Sequence, residues 1–92
     1  MKKFVIERDF SGAAELSPED LQSISRTSCE AICKLEKSYH WIHSYITSDE
    51  IYCIHIAESE ELIREYAKLD KFPITSISEV KTIIDYTTCD HL

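Results

Sequence analysis

Near the middle of the chain, Tyr39 to Thr47 and Ile51 to Ala57 form two runs rich in aromatic and β-branched residues, parted only by Ser48-Asp49-Glu50. Such runs favour strands. A polar link this short returns the second run alongside the first, so the pair is expected to form a hairpin. What flanks the hairpin then sets the fold. Upstream, Ser17-Pro18-Glu19-Asp20 carries a helix-start grammar: a capping hydroxyl, proline at the first helical position and acids at the positive helix end. Leu21, Ile24, Ser28, Ile32 and Leu35 follow at spacings of three and four, a single stripe on a helix reaching about Lys37. Downstream, Ser59-Glu60-Glu61 repeats the grammar, with Leu62, Ile63, Tyr66 and Ala67 as the apolar face and Phe72-Pro73 as the stop. Lys3 to Arg8 reads as a first strand and Ile77 to Tyr86 as a last one, with residues 87–92 as a flexible tail.

The order β-α-β-β-α-β predicts an α+β fold, the ferredoxin-like split βαβ sandwich, with one antiparallel sheet and both helices on a single face. Residues 1–92 are read as one domain. A domain of this size buries only a little over ~60% of its unfolded surface, so pairing with a second copy would add core.

Composition narrows the function. A formal net charge of -7 repels phosphate backbones and argues against nucleic acid. One glycine cannot build a phosphate-cradling loop or a dinucleotide fingerprint. No apolar run approaches a membrane span or a signal sequence, so the expected location is the cytoplasm. There the four cysteines are expected as thiols, and none has the paired spacing of a zinc knuckle. Cys29 and Cys33 lie one helical turn apart and read as small, partly buried helix residues.

Strand alternation assigns the faces. A two-residue turn at Ser48-Asp49 would set Ile42 and Ile46 beside Cys53 and His55; a three-residue loop would set them beside Ile54 and Ile56. The three-residue loop is preferred, because it gathers the isoleucines beneath the helices and because Ser-Asp is a weak two-residue turn. Trp41, His43, Tyr45, Cys53 and His55 then face away from the helices. Phe4 and Ile6 go to the core, and Val5 and Glu7 join the open face. Large aromatics on an open face invite a two-fold partner, here a homodimer. His43 and His55 become cross-strand neighbours, with Cys53 and Glu7 near them, a set suited to nickel, copper or zinc. His40 and His43 point to opposite faces of a regular strand and cannot share an ion.

Several segments resemble a known family. Lys3-Phe4-Val5-Ile6-Glu7-Arg8-Asp9, Leu16-Ser17-Pro18-Glu19-Asp20-Leu21, Trp41-Ile42-His43-Ser44-Tyr45, Tyr52-Cys53-Ile54-His55-Ile56-Ala57, Phe72-Pro73 and Ile77-Ser78-Glu79-Val80 are similar to a bacterial family of short proteins catalogued as a domain of unknown function and named nickel-binding protein. The resemblance implies a ferredoxin-like protomer, a homodimer resembling a dimeric α/β barrel, and a bound divalent metal ion, nickel, but no known reaction. The first functional expectation is therefore a non-enzymatic metal-binding homodimer using His43, with His55, Cys53 and Glu7 as companions and Trp41, Tyr45 and Val5 on the dimer or ligand face. Two rivals share the fold. One is a dimer-cavity enzyme akin to small ferredoxin-like monooxygenases or isomerases; the other is a structural dimerisation module.

Overall fold

The computed structural model describes residues 1–89. Strand β1 spans Lys2–Asp9, helix α1 Pro18–Leu35, strands β2 and β3 His40–Ile46 and Glu50–Ala57, helix α2 Glu60–Asp70, and strand β4 Ser76–Glu79. Two single-turn 3-10 segments, Ala13–Glu15 and Tyr86–Thr88, complete the order. The sheet runs β2-β3-β1-β4 with every pairing antiparallel. This is the expected α+β, ferredoxin-like βαββαβ arrangement.

The helix starts form as their residues dictate. Ser17 Oγ accepts from Asp20 N at 3.1 Å while Asp20 Oδ2 accepts from Ser17 N at 3.2 Å, a reciprocal cap that satisfies two orphan amides. Ser59 Oγ accepts from Leu62 N at 3.3 Å at the head of α2. Both helices stop in the left-handed region, at Glu36 (φ 53°) and Lys71 (φ 62°). With so little glycine in the chain, charged residues take the position that usually falls to it.

The core lies between the helices and one sheet face. Phe4, Ile6, Ile51, Cys53 and Ala57 rise from the sheet to meet Ala31, Leu35, Leu62, Ile63, Tyr66 and Ala67 from the helices. Ile6 and Ile63 are fully buried, which contributes roughly 1.5–3 kcal/mol each.

The hairpin register departs from the sequence reading. Thr47 N donates to Glu50 O at 3.0 Å, which leaves Ser48-Asp49 as a two-residue turn. Cys53 and His55, not Ile54 and Ile56, therefore face the helices: they pair with Ile6 and Phe4 of β1. The cause lies outside the hairpin. Phe10 N donates to Asp49 O at 2.8 Å, and Gly12 N donates to Asp49 Oδ1 at 2.9 Å. The β1–α1 connection thus clamps the turn, and a locally weak turn sequence is held by partners far upstream.

A second irregularity follows. The ladder shifts by one residue between Trp41 and His43, a β-bulge at Ile42. Trp41 pairs with His55 and so also lies on the helix side. The last strand is shorter than expected. Its ladder ends at Glu79, Val80 N still donates to Lys3 O at 2.8 Å, and the following residues run on unpaired by the sheet. They carry Ile83, Ile84 and Tyr86 at 65%, 76% and 80% exposure. Residues 90–92, the end of the expected tail, lie outside the described residues. No helix is long and apolar enough to cross a membrane among the described residues.

Candidate functional site

The sheet face away from the helices is built in rows. In one row Ser78 of β4, Val5 of β1, Ile54 of β3 and His43 of β2 lie side by side; in the next come Ser76, Glu7, Tyr52 and Tyr45. At the far end Lys3, Ile56 and His40 form a third. Val5, Tyr52, Ile54 and Ile56 are half-buried, so the centre of this face is apolar.

Four of the sequence candidates occupy this face: Val5, Glu7, His43 and Tyr45. Three do not. Trp41, Cys53 and His55 project to the helix side because the two-residue turn and the bulge fix the opposite parity. There the Trp41 indole donates to Ser44 Oγ at 3.0 Å, and the Ser44 hydroxyl donates to Cys53 Sγ at 2.9 Å. Burial raises the Cys53 thiol above its usual range, partly offset by the Ser44 hydrogen bond. His55 has no exposed surface. Its ring sits 5.2 Å from Tyr39 and 5.1 Å from Tyr66, centroid to centroid. Neither ring nitrogen has a hydrogen-bond partner, and burial pulls the imidazole down to about 4. It is a neutral core residue, and the expected His43–His55 pair is split by the thickness of the sheet.

The bulge supplies a different companion. Because the ladder gains a residue at Ile42, His40 pairs with Ile56 and His43 with Ile54. Ile54 and Ile56 share the open face, so His40 and His43 do too. The expectation that this pair points apart assumed a regular strand and is overturned. Both imidazoles are solvent-exposed. The ladder, not the residue pattern, reveals this: Trp41, Ser44 and Ile46 share the helix side because one residue is inserted between Trp41 and His43.

His43 is also oriented. Its Nε2 lies 3.0 Å from the Tyr45 hydroxyl, with the rings edge to face at 4.8 Å. That contact occupies one ring nitrogen and leaves Nδ1 for another partner. Glu7 Oε1 accepts from Ser76 Oγ at 3.2 Å, and Glu7 is the main cause of a raised Tyr52 phenol. Two strand spacings and two residues separate Glu7 from His43, roughly 12 Å of backbone, too far to share an ion within one copy. Among the described residues no group of three or more His, Cys, Asp or Glu side chains converges on a point that could hold a metal ion. What this face offers a soft or borderline metal ion within one copy is the pair of exposed imidazoles, His40 and His43. Cys29 and Cys33, expected to be partly buried, are instead exposed thiols, as is Cys89.

No curated protein matches the chain. Among solved structures, the crystal structure of SCO4226 from Streptomyces coelicolor A3(2) superimposes with a TM-score of 0.73, covering 89% of this chain and 99% of that one at 15% identity. At that identity the likeness is one of fold. Sequence carries the kinship further: residues 4–80 match the family described as nickel responsive protein SCO4226-like, and by that match the chain belongs to the SCO4226-like family of nickel-responsive proteins.

Proposed function

We propose that this protein is a nickel-binding homodimer that uses the open sheet face, with His40 and His43 of each copy as the nitrogen ligands. The observation that carries the reading is the bulge at Ile42, which sets two exposed imidazoles on one face of a chain whose family is described by its response to nickel. Imidazole nitrogens suit nickel, and a ligand set with open positions is completed by water or by a second copy. The second copy is supported by what the face leaves uncovered. Val5, Tyr52, Ile54 and Ile56 form a half-exposed apolar strip beside Tyr45, and Ile83, Ile84 and Tyr86 project from the body with nothing packed on them among the described residues. Apolar surface of this extent is seldom left to water.

Calorimetric titration of the chelator-stripped protein with nickel chloride is the test. Saturable binding is expected, with a stoichiometry that tracks the number of His40–His43 pairs. Replacing either histidine by alanine should weaken it at least about tenfold, as loss of one ligand from a small set does. Binding unchanged in both His40→Ala and His43→Ala would remove this face as the site. Sedimentation equilibrium addresses the dimer separately: a monomer at micromolar concentration, with and without nickel, would contradict it.

A further inference from the structure

On the helix side of the sheet, α1 and β2 stand apart at one end. The apolar stripe of α1 is buried from Ser28 onward, against α2, but its first turns are not: Leu21 is 38% exposed. Across from it Ile42 and Ile46 are 48% and 41% exposed. Between these walls lies a cleft of about 380 Å³ whose floor includes Ile51 and Cys53. This volume falls in the range of small-molecule sites, roughly 300–1,000 Å³, which are mostly apolar with a few placed polar groups.

The cleft has one cationic side chain, Arg8. It follows Phe4 and Ile6 on the helix-facing side of β1, and its guanidinium carbon sits 4.1 Å from the centre of the Phe72 ring. Stacking fixes the plane of the group and leaves its edge free. Among the described residues no carboxylate lies within ion-pairing distance of it. In a chain with 17 acidic and 10 basic residues, a half-buried arginine without a carboxylate partner at the end of an apolar cleft is a complementary seat for an anion. The other polar side chains of the lining include Ser25, Ser28, His43, Ser44 and Tyr66; the Ser28 and Tyr66 hydroxyls both donate to Asp70 Oδ2 at 2.8 Å.

We propose that this cleft binds a small amphiphile, a carboxylate joined to an apolar chain or ring, with the carboxylate on Arg8 and the apolar body between α1 and β2. The fork of N–H donors matches a carboxylate in a bidentate manner. The isoleucine and leucine walls recognise only shape and apolarity. His43 borders this cleft as well as the open face, so the titrations use chelator-stripped protein, which keeps their outcome distinct from that of the nickel titration.

Decanoate and decanol serve as probes, titrated below their aggregation limits and followed by calorimetry on the intact protein. Decanoate is expected to bind saturably, about tenfold or more tighter than decanol, the worth of a charge-assisted hydrogen bond. Arg8→Met should abolish that preference while leaving decanol unaffected. Ser25→Phe, which fills the cleft from α1, should abolish both, with an unchanged circular dichroism spectrum showing that the fold survives. Equal affinities for the two probes in the unmodified protein would overturn the proposal without reference to any variant. So would absence of saturable decanoate binding, or full binding in a folded Ser25→Phe protein.

Discussion

His55→Phe should make this protein more stable and less sensitive to acid. The imidazole is enclosed by Tyr39, Tyr66 and the sheet, and both its nitrogens lack partners. Burial lowers it from 6.5 in the free chain to about 4 in the folded one. The sign follows from proton uptake. As pH falls below the unfolded value, the unfolded chain takes a proton that the folded chain refuses, so stability is intact above about pH 6.5 and declines toward pH 4. The full difference is about 3 kcal/mol, and about 2 kcal/mol of it is lost between roughly pH 7.5 and pH 5. With a urea slope near 1 kcal/mol per molar for a domain of this size, the unfolding midpoint should drop by about 2 M over that interval. Phenylalanine keeps a ring in the aromatic cage and cannot be protonated. In His55→Phe this component of the midpoint shift should vanish, and at neutral pH the variant should gain about 1 kcal/mol or more from removal of two unpaired polar atoms. Urea titrations followed by tryptophan fluorescence, at both pH values and one protein concentration, measure both effects. Carboxylates titrate in the same interval in both proteins, so the difference between the two isolates the histidine. Equal pH responses would show that the ring is not held neutral. A variant less stable than the parent at neutral pH would contradict the expected gain, whether through overpacking by the larger ring or through loss of partners to the nitrogens.

The remaining predictions concern other parts of the fold. Ser17→Ala removes one arm of the α1 cap and should cost about 1 kcal/mol in urea unfolding, with Ser17→Asp restoring most of it. A thiol reagent such as Ellman's should titrate Cys29, Cys33 and Cys89 rapidly in the native protein and Cys53 only on unfolding, because burial raises its thiol and blocks its approach; immediate labelling of all four would refute the burial. Tyr45→Phe leaves both imidazoles in place but frees the His43 ring, and should weaken nickel binding by about tenfold. An unchanged affinity there would show that the phenol does not orient the ligand.

Local chemistry made the elements of this fold legible. Ser17-Pro18-Glu19-Asp20 and Ser59-Glu60-Glu61 announce both helix starts, and the observed caps use Ser17, Asp20 and Ser59 as the residues suggest. The hairpin, the βαββαβ order and the inward placement of Phe4 and Ile6 follow from composition and alternation. Facing within the hairpin did not. Its parity depends on hydrogen bonds from Phe10 and Gly12 to Asp49, contacts that join residues distant in sequence and are invisible to turn propensity. Preference for isoleucine in the core misled for a related reason. Beneath the ring cluster of Tyr39, Tyr66 and Phe72, the sheet presents Cys53, the flat ring of His55 and Ala57, while β-branched Val5, Ile54 and Ile56 line the other face. The length of the last strand was overread because Ile83, Ile84 and Tyr86 have strand composition without a neighbouring strand to pair with. The candidate site was legible as far as His43, Tyr45, Val5 and Glu7. His40 needed the bulge.

The residue inserted at Ile42 also changes how relatives of this chain should be compared. Deleting it would leave a regular strand in which His40, Trp41 and His43 keep their present partners, since the ladder already steps over it. A homologue one residue shorter, spelling histidine-x-histidine where this chain spells histidine-x-x-histidine, would thus display an equivalent imidazole pair, and an ungapped alignment would hide the correspondence. What such a shortened chain would lose is the isoleucine side chain beside α1, so a deletion at this single position separates the two faces of the sheet genetically.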